Sequence, residues 1–281
     1  MVEQVGESNI VEVQAFLAGQ EECSQFLINN LGEHGPSLVE HQNSGNFKAI
    51  RLGGEIRAVF CLTRRGNLIM QGGGINPEVV LDACSREPIH MKGFIGEWDS
   101  IEPVYSLFKK QTPSFIPSFE SKEILFSYPL SVNELKLRHD ARVRLLTPAD
   151  FSRWFELRAA YLSELGLPSD GVVDLVRGDF DAQVVGQRWW GLFEGNELLS
   201  QVGLNSKGET VGQVGGVFTP EPYRKRGLAK AAMVHMLRDC RDIHGHTKSI
   251  LFTGETDIAA QKLYESIGYN RIGFFAMMFG K

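Results

Sequence analysis

The residues best suited to chemistry form a short basic stretch in the second half of the chain. Arg224, Lys225 and Arg226 make a basic triplet, Gly227 follows it directly, and Lys230 comes three residues later. The start of a helix presents unpaired N–H groups and the positive end of the helix dipole. A glycine at this point lets a ligand approach the backbone closely. The stretch therefore predicts a binding site for phosphate groups.

Two predicted elements must hold this stretch in place. Apolar residues at helical spacing predict an amphipathic helix over about Lys225–Ile243, which Gly245 ends as a left-handed cap. Before the basic triplet a strand is predicted over about 209–219, and its consecutive glycines, 215–216, mark a point where that strand is distorted. The phosphate site is thus expected between the end of a strand and the start of a long helix.

The basic stretch resembles the acetyl-CoA-binding signature of the GCN5-related N-acetyltransferase (GNAT) family. The family pattern is Gln/Arg-x-x-Gly-x-Gly/Ala, and Arg224, Gly227 and Ala229 occupy its three defined positions. The segment before the loop, 217–220, resembles the end of the family's fourth strand. The resemblance implies that acetyl-CoA is the phosphate-bearing ligand, as a co-substrate.

A second run resembles the other signature of the family, usually written Asn-x-x-Ala-x-x-Leu-Tyr-x-x-x-Gly-Phe. Asp replaces Asn at its first position and Tyr replaces Phe at its last. The two signatures stand in the order that the family shows, and the likeness covers residues 142–281. The matching residues are Asp257, Ala260, Leu263, Tyr264, Gly268 and Tyr269.

The resemblance implies direct transfer of an acetyl group from acetyl-CoA to an amine. The backbone of the fourth strand would pair with pantetheine as an added strand does, and the amides of 225–230 would hold the pyrophosphate. Tyr264 would be the general acid that protonates the departing CoA thiolate. A backbone N–H near Val217 or Phe218 would polarise the thioester oxygen. The implied acetyl-CoA contacts are Val217, Phe218, Thr219, Arg224, Lys225, Arg226, Gly227, Leu228, Ala229, Lys230, Asp257, Ala260 and Tyr264.

The general base is less clearly marked than the acid. Some family members place a carboxylate on the fourth strand, where this chain has Gly212 and Gln213. Glu209, further up that strand, is the candidate base, and Glu255 at the end of the next strand is an alternative. A water relay, or an amine that arrives neutral, would need no base. Tyr264 and Glu209 are therefore the candidate catalytic residues.

The acceptor, a small-molecule or peptide amine, is expected in a groove of the second half. The segment 165–171, the final strands around 271–278 and the first half of the chain would bound this groove. Glu164 or Asp170 is a candidate partner for a cationic amine.

An internal repeat predicts the domain organisation. Residues 47–75 align without a gap on residues 189–217, a shift of 142 that pairs glycine with glycine at predicted turns. A second block, 94–99, aligns on 252–257 with a shift of 158, so the second copy carries an insertion between the blocks. Helical and strand patterns interleave in both copies, and the family likeness implies two GNAT-like α/β (α+β) domains in tandem. Each would be a mixed, mostly antiparallel twisted sheet flanked by helices, over 1–130 and 142–281, with 131–141 as a linker.

The first copy lacks the residues of the basic stretch. Its corresponding segment opens with Asn76-Pro77 and carries acidic Glu78 and Asp82 near a predicted helix start, where they would repel a pyrophosphate. Tyr105 is its nearest, off-register counterpart of the second copy's tyrosine. Residues 1–140 hold 12 basic and 18 acidic residues, a net of −6, against +1 for the remainder. The first copy is therefore predicted to be degenerate, and the second to bind the anion.

Composition excludes several other classes of protein. The chain has 281 residues, 43% hydrophobic and 22% charged, and its formal net charge of −5 argues against binding nucleic acid or an anionic membrane. No apolar run approaches the roughly 18 residues of a membrane span. The acidic first residues differ from a signal peptide, which favours a cytoplasmic location. The sequence leaves open whether the protein is a monomer or a homodimer.

The cysteines and histidines predict no further chemistry. The four cysteines form no Cys-x-x-Cys pair and are expected to be buried, free thiols. His244 and His246 are too closely spaced for good metal ligation, so no metal is expected. Trp189 and Trp190 are both expected in the core.

The rival interpretation from another class is a non-catalytic module that binds acyl-CoA as a sensor. A sensor would bind acyl-CoA through the same loop as the enzyme would. The two interpretations differ in Tyr264, because a sensor would not need its hydroxyl. A nucleic-acid binder that uses the basic triplet is disfavoured by net charge and by the lack of interleaved aromatic residues.

Overall fold

The computed structural model of the protein describes residues 1–130, 142–166 and 173–280. These residues form two compact units, and neither unit is continuous in sequence. The first unit contains 1–126, 252–261 and 270–280, and the second contains the described parts of 127–251 together with 262–269. The linker predicted over 131–141 lies outside the described residues.

Helices and strands alternate along both halves, as the sequence patterns predict. The elements of the first half are β1 (Val2–Gln4), α1 (Ile10–Ala18), α2 (Glu21–His34), β2 (Gly45–Leu52), β3 (Glu55–Thr63), β4 (Asn67–Gly72), α3 (Pro77–Ser85), β5 (Gly93–Glu97), α4 (Trp98–Gln111) and β6 (Pro117–Pro129). Those of the second half are β7 (Val143–Leu145), α5 (Phe151–Glu164), α6 (Val173–Val185), β8 (Trp189–Glu194), β9 (Glu197–Lys207), β10 (Val211–Phe218), α7 (Leu228–Asp242), β11 (Lys248–Gly254), α8 (Ile258–Ile267) and β12 (Asn270–Gly280).

The sheet of the first unit has the order β1-β2-β3-β4-β5-β12-β6. Strands β4 and β5 run parallel, and the pairs from β1 to β4 are antiparallel. Because side chains alternate across a strand, each face carries its own apolar core. Phe60 and Phe94 belong to the core beneath α3 and α4, whereas Phe47 and Val59 belong to the core beneath α1 and α2. The mixed, mostly antiparallel fold predicted from the sequence is confirmed.

Strand β12 completes the first unit although it follows the second signature in sequence. It pairs antiparallel with β5, from Phe275 opposite Glu97 to Phe279 opposite Gly93. Ala276 is fully buried in the core beneath α3 and α4. From the sequence this strand is expected in the second copy, so the structure assigns it differently.

The sheet of the second unit has the order β7-β8-β9-β10-β11, with only β10 and β11 parallel. Trp189 packs against Trp154 of α5, and the indole N–H of Trp190 donates to Asp239 of α7 at 2.6 Å. The burial predicted for both tryptophans is confirmed, at 5% and 0% exposure. Helix α6 is an element that the sequence patterns did not indicate.

The aligned segments of the repeat form matching strands. Strands β2, β3 and β4 lie at the same positions in the alignment as β8, β9 and β10. The paired turn glycines, Gly53 and Gly195, both adopt positive φ, at 61° and 57°. The same holds for Gly74 and Gly216, at 71° and 61°. At these two positions the repeat in sequence is also a repeat in backbone conformation, whereas Gly66 has φ 94° and its counterpart Gly208 does not adopt positive φ.

Asp150 organises the entry to α5. Its carboxylate accepts hydrogen bonds from both terminal nitrogens of Arg144 at 2.8 Å, and from the backbone N–H and hydroxyl of Thr147, also at 2.8 Å. The Arg144 guanidinium, helped by the Thr147 donors, lowers the pKa of Asp150 from 3.8 to about 2. A carboxyl whose pKa is lowered by folding stabilises the protein above its unfolded pKa and loses that effect as the pH falls through its folded pKa.

Replacing Asp150 by Asn is expected to lower the free energy of unfolding at pH 7 by about 1 to 2 kcal/mol. The difference from the parent should shrink as the pH falls from about 4 towards 2, because the parent carboxyl is then protonated too. Urea unfolding across this range measures the effect. Asp181→Asn, which removes an exposed pair with Arg177, is the matched control and should cost less than about 0.5 kcal/mol at any pH.

His246 lies buried after α7, at 2% exposure. Its Nε2 lies 3.1 Å from the carbonyl oxygen of Gly208, and its ring packs so closely on Gly212 that a Cβ there would lie 2.8 Å from Nδ1. Burial above all lowers the pKa of His246 from 6.5 to about 4. The folded protein therefore holds this histidine neutral.

Acidification from pH 6.5 to pH 4 is expected to cost the protein about 2 kcal/mol of unfolding free energy through His246. In this window the unfolded chain binds a proton that the folded chain excludes, so stability rises with pH. Urea unfolding at half-unit pH steps measures the slope. His246→Gln keeps a donor for Gly208 and should flatten the slope, whereas the exposed His90→Gln should leave it intact. An unchanged slope in His246→Gln would contradict the assignment.

Candidate acetyl-CoA site

Strand β10 is distorted where the sequence places consecutive glycines. Gly215 pairs with Gly203 of β9, and the next pair is Phe218 with Gln201, so β10 carries one extra residue in between. This is a β-bulge. Gly216 lies within it at φ 61°, and a Cβ there would lie 2.5 Å from the Trp189 ring. The distortion predicted at 215–216 is confirmed, and it requires glycine for both conformation and space.

The bulge lies beyond the point where β10 and β11 separate. The parallel register of these strands runs from Val211 opposite Lys248 to Gln213 opposite Ile250, whereas β10 continues to Phe218. The backbone of 214–218 therefore has a side without strand pairing to β11. Unpaired N–H and C=O groups along an extended strand are the groups that an extended ligand can pair with.

The loop after β10 presents a row of backbone donors. Lys225 and Gly227 both adopt left-handed conformations, at φ 61° and 77°. The amides of 225–230 donate to no acceptor within the part of the chain that the structure describes, and Ala231 is the first to donate, to Gly227 at 3.0 Å. Successive amides around left-handed residues form a concave anion site. The two left-handed residues also explain why α7 begins at Leu228 rather than at Lys225.

Arg224 holds the shape of this loop. Its guanidinium donates to both carboxylate oxygens of Glu164, at 2.7 and 2.6 Å, and to the carbonyl oxygen of Thr219 at 2.8 Å. Glu164, which the sequence offers as a partner for an amine, is thus engaged by Arg224. On the same face of α5, Tyr161 lies 5.8 Å, ring to ring, from Phe218. Tyr161 was not identified from the sequence. Its position three residues before Glu164 places both on one face of a helix, and this spacing could have indicated it.

Two other basic side chains are also bound within the chain. Arg226 donates to Glu194 at 2.7 Å, and Lys230 donates to the carbonyl oxygen of Ser266 at 2.9 Å. Lys225 is exposed and has no partner among the described residues. The phosphate-binding roles of these side chains stay predictions, and the amides are the donors that the fold leaves open.

Tyr264 lies in the last turns of α8, the helix whose end Lys230 contacts. Its side chain is 7% exposed, and its ring meets that of Tyr269 edge-on at 6.1 Å. The hydroxyl of Tyr269 is itself bound to Ser249 at 2.7 Å. Lys230 and Ser266 thus bring the helix that carries Tyr264 to the first turn of α7. The catalytic role of Tyr264 stays a prediction.

Asp257 and Ala260 lie in the first unit, at the start of α8. The Asp257 carboxylate accepts the backbone N–H of Ala260 at 3.0 Å, which is the geometry of a helix N-cap. Asp and Asn serve equally well as N-caps, which explains why Asp can replace the family's Asn. Contact of these two residues with acetyl-CoA stays a prediction.

The structure does not bring Glu209 to the loop. Glu209 lies exposed in the turn between β9 and β10, at the opposite end of β10 from Val217. The six steps of strand from Val211 to Val217 alone span roughly 20 Å. Glu255, the alternative, is also exposed. Asp170, proposed as an amine partner, lies outside the described residues, as does most of the 165–171 loop.

Other kinds of site find no support in the described ranges. No group of three or more His, Cys, Asp and Glu side chains there is arranged to hold a metal ion. No helix in these ranges combines the length and the hydropathy needed to cross a bilayer. Three of the cysteines are buried, and burial raises the pKa of Cys84 and Cys240 to about 12.

The second unit thus has a mostly antiparallel sheet whose one parallel pair, β10 and β11, separates beside the N-terminus of α7. Residues 152–269 match the family model described as Acetyltransferase (GNAT) family. The match covers the part of the chain that contains both signatures. No curated protein matches the sequence.

Solved structures extend the likeness to the whole chain. A GCN5-related N-acetyltransferase from Sphaerobacter thermophilus is 13% identical, with a TM-score of 0.60, over 99% of this chain and 94% of that chain. A tandem GNAT protein from the clavulanic acid biosynthesis pathway is 11% identical, with a TM-score of 0.58, over 100% and 98%. An acetyltransferase of the GNAT family from Colwellia psychrerythraea is 11% identical, with a TM-score of 0.56, over 100% and 99%. At these identities the likeness establishes the fold alone.

Proposed function

We propose that the protein is a cytoplasmic N-acetyltransferase that transfers an acetyl group from acetyl-CoA directly to an amine of a small molecule or peptide. The observation that carries this proposal is the row of unengaged amides over 225–230, next to the unpaired side of β10. The free amides can bind a pyrophosphate. The unpaired side of β10 can pair with a pantetheine arm as it would with an added strand.

The residues at the loop fit this ligand. Gly227 has no atom within 4 Å of the position of a Cβ, so a pyrophosphate can approach its backbone. The carbonyl oxygen of Thr219 is held by Arg224 and its hydroxyl by Ser200 at 2.8 Å, which leaves its N–H for the pantetheine arm. Arg224 is thus a positioning residue, which acts on the ligand through Thr219 and the loop.

In the proposed reaction the amine nitrogen attacks the thioester carbonyl carbon. A C–N bond forms as the C–S bond breaks, and the N–H groups near Val217 and Phe218 stabilise the negative charge that develops on the oxygen. Tyr264 gives its proton to the departing thiolate and regains one from the acetylated ammonium through solvent. With Glu209 at the far end of β10, the amine must arrive neutral or lose its proton to water.

The first unit is proposed to be a degenerate copy without an acetyl-CoA site. The Asn76 side chain caps α3 by accepting the N–H of Glu78 at 3.0 Å, so this helix start supplies its own acceptor. Tyr105 is 4% exposed and donates to Glu120 at 2.6 Å. Helix α3 has 9 residues against 15 in α7, in line with the shorter spacing of the first copy.

Calorimetric titration with CoA, followed by a CoA-release assay against a panel of primary amines, tests the proposal. Binding together with amine-dependent release supports an acetyltransferase. Binding without release by any amine would favour the sensor module, and absence of CoA binding would contradict both. The same assay identifies the acceptor, and light scattering of the same sample distinguishes a monomer from a homodimer.

A further inference from the structure

A polar cluster around one buried glutamine of the first unit has no role in the proposed reaction. Its centre is Gln71 of β4, and its other members are Gln20, Cys23 and Glu97. The last pair of the β4–β5 register is Met70 with Gly96, so Gln71 and Glu97 are the first residues past the point where these strands stop pairing. We name these four residues the Gln71 cluster.

The Gln71 side chain has an unmet requirement for a hydrogen-bond donor. It is 1% exposed, and its Nε2 donates both hydrogens, to Gln20 Oε1 at 2.7 Å and to Glu97 Oε2 at 2.9 Å. Because an ionised carboxylate can only accept, the contact with Glu97 fixes the orientation of the amide. Its Oε1 is buried and has no partner. Buried carbonyl groups in native proteins almost always have a donor, so this oxygen marks a place for one.

The charge at the cluster is negative. Burial chiefly, and then the charges of Glu97 and Glu22, raise the pKa of Cys23 to about 12, so its thiol is neutral at pH 7. Glu97 has no cationic partner among the described residues. A donor that also carries positive charge therefore suits this place better than a neutral one, because a hydrogen bond between charged groups is the stronger kind.

The cluster is open on one side. Gln20, Cys23 and Glu97 are each partly exposed, although Gln71 is not. There is open space beside the turn after β4, because no atom lies within 4 Å of the position that a Cβ would take at Gly73 or Gly74. Gln71 Oε1 itself is buried, so a small group would have to approach it past the partly exposed Glu97 side chain.

We propose that the Gln71 cluster binds the primary ammonium group of a small amine. One N–H of the ammonium donates to Gln71 Oε1, and its charge is balanced by the Glu97 carboxylate, whose Oε1 accepts a second N–H. The first unit then has a ligand site of its own, separate in residues and chemistry from the loop that would bind acetyl-CoA. The alternative occupant of this place is an ordered water molecule.

Titration of the ¹⁵N-labelled full chain with methylammonium, followed through the Gln71 side-chain amide signals, tests the site. The signals are identified by their loss in Gln71→Leu. Saturable shifts are expected with methylammonium, and none with tetramethylammonium, which has the same charge and no N–H. Glu97→Gln should weaken the binding of methylammonium by about tenfold or more. Glu78→Gln, an exposed carboxylate of the same unit, should leave it unchanged.

Two results would overturn the proposal. If the Gln71 signals do not shift saturably with methylammonium, the carbonyl is satisfied by water. If tetramethylammonium or potassium shifts them equally, only charge is sensed and no ammonium site exists. Circular dichroism shows whether each variant is folded. Because Glu97 is partly exposed, Glu97→Gln tests the site even if Gln71→Leu disturbs folding.

Discussion

Replacing Gly227 by Asp is expected to lower the affinity for CoA more than about 100-fold, whereas Gly227→Asn should bind within a few-fold of the parent. Asp and Asn have the same shape, and both tolerate the left-handed conformation that Gly227 adopts at φ 77°. No atom lies within 4 Å of the new Cβ, so neither side chain clashes with the protein. Only Asp places a negative charge among the amides of 225–230, and at about 4 Å from a phosphate this costs about 4 kcal/mol near a protein surface.

Calorimetric titration of the two variants with CoA measures the difference, and thermal unfolding confirms that both are folded. The comparison separates charge from backbone strain, since any strain is shared by the pair. Equal loss in both variants would assign the effect to conformation. Parent-like binding by Gly227→Asp would show that the pyrophosphate binds elsewhere and that the loop is not the acetyl-CoA site.

Replacing Tyr264 by Phe is expected to lower kcat about 100-fold while the KM for acetyl-CoA changes less than about twofold. The ring is 7% exposed, so Phe fills the same space and removes only the hydroxyl that would protonate the thiolate. Steady-state CoA release with the acceptor amine identified by screening measures both constants.

Tyr269→Phe is the matched control for Tyr264→Phe. Its ring meets that of Tyr264 at 6.1 Å and is also buried, but its hydroxyl is bound to Ser249. Loss of that bond should cost about 1 kcal/mol of stability and leave kcat close to that of the parent. An equal fall in kcat for both variants would mean that the aromatic packing matters rather than the Tyr264 proton. An unchanged kcat in Tyr264→Phe would remove the general-acid role.

The elements that position the loop could be predicted because their signals are local. Strand β10 and its bulge follow from an apolar run interrupted by Gly215 and Gly216, residues whose backbone freedom is itself the reason for the bulge. Glycine turns on both copies fixed the positions of β2 to β4 and β8 to β10 to within about two residues. The anion-binding face of the loop follows from Gly227 in the same way.

The partners of the basic side chains could not be predicted, because they depend on contacts between segments distant in sequence. Arg224 binds Glu164, sixty residues earlier, and Lys230 binds Ser266, thirty-six residues later. The sequence groups these charged residues in one stretch, but the tertiary fold determines whether they bind a ligand or other residues of the protein. The distance of Glu209 from the loop needs no such contact, because the length of strand between Val211 and Val217 already separates them.

The partner of β12 was also beyond the reach of sequence patterns. An apolar strand such as 270–280 can pair with any free sheet edge that buries its side chains. Phe275 and Ala276 could complete either copy, since both copies have a parallel strand at the corresponding position. The structure shows that β5 takes this strand, and nothing local to β12 distinguishes that choice.

Pairing of β5 with β12 sets an order of events during synthesis. Domains at the start of a chain generally fold while the rest is still being translated. Here residues 1–126 leave the ribosome well before residues 270–280 exist, so the first unit must wait with an unpaired edge at β5. A nascent chain in this state presents the kind of strand edge that invites mispairing with other chains. The second unit contains α7 and the loop before it, and both precede β12 in the sequence. The second unit is therefore synthesised before the first unit can be completed by β12.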